Sequence, residues 1–184
     1  MNLFHFSVMN FLLKCSIVSA QYKQNILKKS DILIEEDDLT DGQIVSILEE
    51  HLKDMFANSP AESVHALDTQ ALKQPNITFY SFKYSGKTLG CVAIKTHSET
   101  VAEIKSMRTI NEARGQGVAT RLLNYVMNQA TIKGYTSLHL ETGSMAFFKP
   151  ARDLYLRHGF TECGPFADYQ SDPNSIFMTH KRSH

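Results

Sequence analysis

The sequence predicts a domain of the α/β (α+β) class: a mixed, mostly antiparallel sheet of about six to seven strands flanked by about four helices. Three observations carry this. Two β-rich runs meet at a Ser-Gly turn, a long amphipathic period opens and closes on glycine, and period-two runs recur on both sides of that helix.

The elements follow in order. "DILIEE", from Asp31, reads as a short strand. "TDGQIVSILEEHLKDMF" opens with Thr40 or Asp41 as N-cap and spaces Ile44, Ile47, Leu48, His51 and Leu52 as one helical stripe. "SPAESVHALDTQAL", residues 59–72, predicts a second short helix with Ser59 capping and Pro60 at the first helical position; Pro75 ends it. "ITFYSFKYSGKTLGCVAIKTH" is a hairpin turning at Ser85-Gly86, and "TVAEIKSMRTI", residues 100–110, adds a third antiparallel neighbour. From Gly117, Val118, Leu122, Val126 and Ala130 mark a helix that stops at Gly134. "YTSLHLET" is a buried strand, "PARDLYLRHG" a helix begun near Pro150, and "FTECGPF" and "SIFMTHK" supply two last β runs.

Composition bounds the function. With 184 residues, 42% of them hydrophobic, the chain can bury one sizeable core, and 31–184 reads as a single domain. Nineteen basic residues balance nineteen acidic ones, so no global field draws the chain to nucleic acid or to a membrane surface. Cys15, Cys91 and Cys163 form neither a disulfide framework nor a zinc spacing, and the histidines are scattered; no metal is implied and a reducing, cytoplasmic setting is expected. Residues 1–30 hold an apolar run with Lys14 inside it and no basic residues ahead of it. They read as a leader, an extra helix or a start-site extension.

The chemistry concentrates in "INEARGQGVATRLLNYV", residues 110–126. A strand, then Arg114-Gly115-Gln116-Gly117-Val118-Ala119, then a long helix places unpaired backbone N–H groups at a helix N-terminus that carries about half a positive charge. Glycines let a phosphate approach the amides, and Arg114 adds a charged donor, so a pyrophosphate is the natural guest; a plain tight turn is the alternative. No G-K-[ST] follows, and Thr120 stands where a dinucleotide fingerprint needs its third glycine.

"AEIKSMRTINEARGQGVATRLL" resembles the acetyl-CoA-binding segment of the GNAT superfamily of N-acyltransferases, whose Q/R-x-x-G-x-G/A pattern is met by Arg114, Gly117 and Ala119. "PARDLYLRHGF" is similar to its second signature, A-x-x-L-Y followed by G-F, met by Ala151, Leu154, Tyr155, Gly159 and Phe160. The likeness runs from about Asp31 to Lys181 and is nearest to small bacterial acetyltransferases of unassigned substrate. One position departs: where the family often has Asn, three residues before the helix alanine, this chain has Phe148.

The resemblance implies a GNAT-type fold, acetyl-CoA as co-substrate, and a cradle formed by Arg114, Gly115, Gln116, Gly117, Val118, Ala119 and Thr120. Met107 and Thr109 would offer main-chain groups to the pantetheine arm as an added strand would. Tyr155 would give its proton to the departing thiolate. An amine with a pKa near about 10.4 arrives protonated, so a base is needed, and Glu103 is the candidate. His65, Asp68, Phe166 and Tyr169 are candidate acceptor contacts. The implied reaction is direct acetyl transfer to a primary amine of a small molecule or amino acid. A peptide or protein acetyltransferase and an inactive acyl-CoA sensor stand as alternatives, and a homodimer is compatible with the sequence.

Overall fold

The computed structural model describes residues 27–63 and 73–181. In chain order the elements are β1 (Ile32–Asp37), α1 (Gln43–Asn58), β2 (Ile77–Tyr84), β3 (Lys87–Thr96), β4 (Val101–Thr109), α2 (Val118–Ile132), β5 (Ser137–Gly143), α3 (Lys149–Arg157), β6 (Thr161–Cys163) and β7 (Ser175–Lys181). The strands form one seven-stranded sheet in the order β1-β2-β3-β4-β5-β7-β6. Every pairing is antiparallel except β4 with β5. The mixed α+β fold read from the sequence is therefore the one observed.

Local chemistry accounts for the turns. Ser85 and Gly86 both have positive φ, 47° and 81°, as a two-residue hairpin that matches strand twist requires. Gly134, at φ 82°, ends α2, and Tyr135 N–H reaches back to Ala130 O at 2.9 Å. Two expectations change. The N-cap of α1 is neither Thr40 nor Asp41 but Gly42, at φ 74°. The Asp41 carboxylate accepts instead from the Gln43 N–H, closing a turn before the helix begins. The helix expected over 59–72 is a single 3₁₀ turn, Ala61–Ser63, within the described residues; 64–72 lie outside them. Three α-helices are thus described where about four were expected.

The two faces of the sheet are covered differently. α2 packs on β2, β3 and β4, and α1 on β3 and β4. A Cβ at Gly90 would lie 2.6 Å from Arg108 O and 3.0 Å from Val118 Cγ1, so glycine is what lets α2 settle on β3. On the same face Tyr80 meets Tyr125 of α2 edge-on, with centroids 5.3 Å apart. The neighbouring residue Cys91 pairs with Arg108, whose guanidinium donates to Asp54 of α1 on the opposite face. Leu122, Leu123, Val126, Phe82, Val92 and Ile104 lie in the continuous buried core.

Two irregularities in β4 prepare the site. Its pairing with β3 slips between Cys91 and Ala93, where Ser106 takes φ 53° and Cys91 Sγ donates to Ser106 O. Its parallel pairing with β5 runs only from Val101↔Ser137 to Ile104↔Leu140. Both strands continue, to Thr109 and Gly143, so they part just beyond Ile104 and Leu140.

Candidate active site

Where β4 and β5 part, a pocket opens on the α1 face. Glu103, Lys105, Ser106 and Met107 of β4 line one side, Glu141, Thr142 and Gly143 of β5 the other. His51 and Met55 of α1 close one wall, and Phe148, Ala151 and Tyr155 close another. α3 is held against β5 by Arg152, whose Nη1 donates to Gly143 O at 2.6 Å and to Met145 O at 3.0 Å.

The glycine segment lies downstream of the β4 end of this pocket. After Thr109 the chain makes a 3₁₀ turn, Asn111–Ala113, then reaches Gly115 and Gly117 at φ 76° and 79°. Buried Ala113 and Val118 pin the two ends of the loop. No side chain caps α2, and its first helical bond runs from Arg121 N–H to Gly117 O, so the amides of Val118, Ala119 and Thr120 lie ahead of it. A Cβ at Gly115 would meet nothing within 4 Å, and at Gly117 only Arg121 Nη1, at 3.8 Å. Arg114 is half exposed beside it. Backbone donors, a positive helix end, two cations and open approach suit a diphosphate.

Glu103 lies at the pocket floor, 1% exposed, with both oxygens engaged. Oε2 pairs with His97 Nε2 at 2.9 Å; Oε1 accepts from Lys105 Nζ at 3.0 Å and from the Tyr169 hydroxyl at 2.7 Å. Burial pushes its carboxyl up, but the Lys105 charge and the hydrogen bonds from Tyr169, His97 and Lys105 outweigh that and hold it below its ordinary value. Tyr169 moves the other way, pushed up by burial and then by Glu103. Lys105 also donates to the Tyr169 hydroxyl at 2.6 Å, which makes a compact cluster of a carboxylate, an ammonium and a phenol.

Tyr155 is 6% exposed, and its hydroxyl is raised by desolvation and by the charge of Glu141. It therefore holds its proton firmly until a strong base forms beside it. His51 is pushed down to about 4, chiefly by burial and then by Arg108, and so is neutral at physiological pH. Cys91 is fully buried and pushed up to about 12 by desolvation, which makes it a packing residue rather than a nucleophile.

The structure thus brings Glu103, Met107 and Tyr155 to one pocket and sets the segment Arg114–Thr120 after the end of its β4 wall. Thr109 is the last residue of β4, with its hydroxyl buried. Of the four candidate acceptor contacts, Tyr169 joins the Glu103 cluster. Phe166 stacks on His139 with centroids 4.7 Å apart and is not part of the pocket lining. His65 and Asp68 lie outside the described residues.

Sequence reasoning did not pick out Lys105, Glu141 or His51 as pocket residues. Lys105 had a signal, since two residues along a strand from Glu103 is the same face. Phe148, noted as a departure from the family, proves to be a pocket wall.

The family model of the Acetyltransferase (GNAT) family matches residues 44–160. The chain belongs to this family. It is 49% identical over 148 residues to the uncharacterized N-acetyltransferase YsnE of Bacillus subtilis, covering 80% of this chain and 98% of that protein. It is 39% identical over 137 residues to the IAA acetyltransferase of Azospirillum brasilense, covering 74% and 86%. In fold it resembles a GNAT acetyltransferase from Elizabethkingia anophelis solved with acetyl-CoA bound: TM-score 0.62, 18% identity, 84% of this chain and 100% of that one. The protein is therefore an acyl-CoA N-acyltransferase with acetyl-CoA as co-substrate. Among the described residues no helix is long and apolar enough to cross a membrane.

Proposed function

We propose that the enzyme transfers the acetyl group of acetyl-CoA to a primary amine of a small molecule or amino acid, by direct attack, in the cytoplasm. The observation that carries this reading is the parting of β4 and β5, which opens a confined pocket beside the strand that runs on toward an anion-cradling helix end, with the buried, protonated Tyr155 of α3 in its wall. The walls from α1 and Phe148 favour a compact acceptor over an extended peptide.

Each group has a task that its surroundings support. The amides of Val118 to Thr120, with Arg114, hold the diphosphate of the co-substrate. Beyond the parting, the β4 main chain at Met107 and Thr109 is free of β5 and offers strand-type hydrogen bonds to the pantetheine arm. A main-chain N–H near Met107 faces the charge that develops on the carbonyl oxygen. Tyr155 gives its proton to the departing sulfur. Glu103, saturated with donors, anchors Lys105 and Tyr169 more readily than it accepts a proton.

The test is a panel of small amines, amino acids and peptides with acetyl-CoA, read as free thiol released. Turnover with a small amine at a kcat/KM well above that of any peptide bears the reading out. Peptide acceptors outperforming free amines would make it a protein-modifying enzyme, and thiol release with none of them would leave an acyl-CoA sensor.

A further inference from the structure

One polar side chain stands in the apolar stripe of α1. Ile44 and Ile47 are buried and Leu48 packs against the same core, and His51 takes the next place in that stripe, in the pocket wall beside Met55. Its Nδ1 is buried with no hydrogen-bond partner among the described residues. Buried polar atoms are normally paired, because an unpaired one forfeits its bonds with water. A nitrogen left open in a pocket wall is one that a ligand can pair. The charge of the ring narrows what that ligand group is. Burial first and Arg108 next hold His51 at about 4, so it is neutral at physiological pH and takes no proton from an ammonium of pKa about 10.4. It offers an N–H instead. Asp54, one turn further along α1, receives the Arg108 guanidinium and has Arg114 Nη2 at 3.9 Å from the same oxygen. Arg108 Nε is also buried without a partner. Two guanidiniums on one carboxylate leave this side of the pocket positive, which suits an anionic group and disfavours a second ammonium.

We propose that the acceptor is an amino acid and that the His51 ring N–H receives its carboxylate, which makes His51 the residue that selects amino acids over plain amines. The assignment rests on the acetyl-transfer reading above and narrows its acceptor. The bond is of the stronger, charge-assisted kind, since the oxygen that accepts it carries the charge. With the carboxylate held at α1, the amine is the end left to meet the thioester. His51 acts by holding the substrate and exchanges no proton with it.

The experiment gives the full chain each of the twenty amino acids beside the amine that lacks its carboxyl group, for example leucine and 3-methylbutylamine, and reads free thiol from acetyl-CoA. The wild type is expected to favour the amino acid of its best pair. His51→Ala should lower kcat/KM for that amino acid by about 10- to 100-fold, mainly through its KM, while KM for acetyl-CoA stays as it was. The matched amine should lose far less. Comparing the ratio of the two substrates between enzymes cancels their difference in basicity, and loss of packing alone would not move that ratio. His51→Asn, which keeps an N–H near the place of Nδ1, should recover part of the preference. The wild-type comparison needs no variant, so it decides the matter if the alanine protein does not fold. The proposal is overturned if the wild type turns over the amines as well as the amino acids, or if His51→Ala loses equally on both. Turnover of amines alone removes only this assignment; no thiol release by the wild type with any acceptor removes the acetyl-transfer reading and the assignment with it.

Discussion

Gly143 and Phe148 occupy complementary space. A Cβ at Gly143 would lie 3.0 Å from Phe148 Cγ and closer still to Cδ2 and Cε2, so the ring rests where any other residue would place its side chain. Gly143→Ala should therefore swing Phe148 out of its position in the pocket wall. Overpacking of this kind costs about 1–3 kcal/mol, and it should change KM for the acceptor amine while KM for acetyl-CoA moves less than twofold, roughly the scatter of such measurements. Steady-state kinetics with each substrate varied in turn would show this, and equal effects on both constants would contradict it.

Gly117→Glu places a side chain and a negative charge in front of the α2 amides, at a left-handed φ that glutamate adopts with strain. The expected result is a rise of more than about tenfold in KM for acetyl-CoA, since about 1.4 kcal/mol gives that factor. Cofactor affinity that stays normal in a folded variant, measured by calorimetry, would remove the diphosphate from this loop.

Tyr155→Phe keeps the ring that packs against Phe160, whose centroid is 5.7 Å away. A filler would lose little. A proton donor should lose about 10² in kcat with Tm and acetyl-CoA binding nearly unchanged. The loss should shrink with a thioester of a more acidic thiol, because a better leaving group needs less protonation.

Tyr169→Phe tests the Glu103 cluster through pH. The folded state holds the Glu103 carboxyl below its ordinary value, so the stability this brings is present above the unfolded pKa of about 4.3 and is lost as pH falls through the lower folded value. Removing the phenol donor takes away part of that depression. A hydrogen bond to a charged group is worth about 1.5–3 kcal/mol, and about 1 kcal/mol corresponds to about 2–4 °C in a domain of this size, so a Tm drop of about 3–12 °C is expected at pH 7. The gap should narrow as pH is lowered below about 4. A constant gap across that range would show that Tyr169 acts only through packing.

The parts of this molecule that could be read in the sequence are those written in contiguous residues. Ser85-Gly86 announces its turn because the conformation there suits few residues, and Gly134 ends α2 for the same reason. Arg114 to Ala119 and Ala151 to Tyr155 are compact segments, and they led to the family that the comparisons establish. The cap at Gly42 escaped because Asp41 and Thr40 were spent on the turn before the helix. The pocket was less legible because it is assembled from distant pieces. Glu103 and Tyr169 are 66 residues apart, and nothing local says that they meet. Ser106 gives no sign that it will take a left-handed conformation, yet its slip sets which β4 side chains face α1. His51 fitted the apolar stripe of α1 and so passed as core.

That slip has a consequence for how the enzyme can diversify. Ala93 and Cys91 lie two apart on β3, yet their partners Lys105 and Arg108 lie three apart on β4. The strand therefore changes parity part-way along. Odd-numbered positions, Glu103 and Lys105, face the pocket before Ser106, and an even-numbered one, Arg108, faces α1 after it. The two halves of β4 are in this sense separate reading frames, one for the pocket and one for the contact with α1. Substitutions ahead of the slip can alter the pocket without re-aiming the half that meets α1, whereas a one-residue deletion at Ser106 would merge the frames and turn Arg108 away from Asp54.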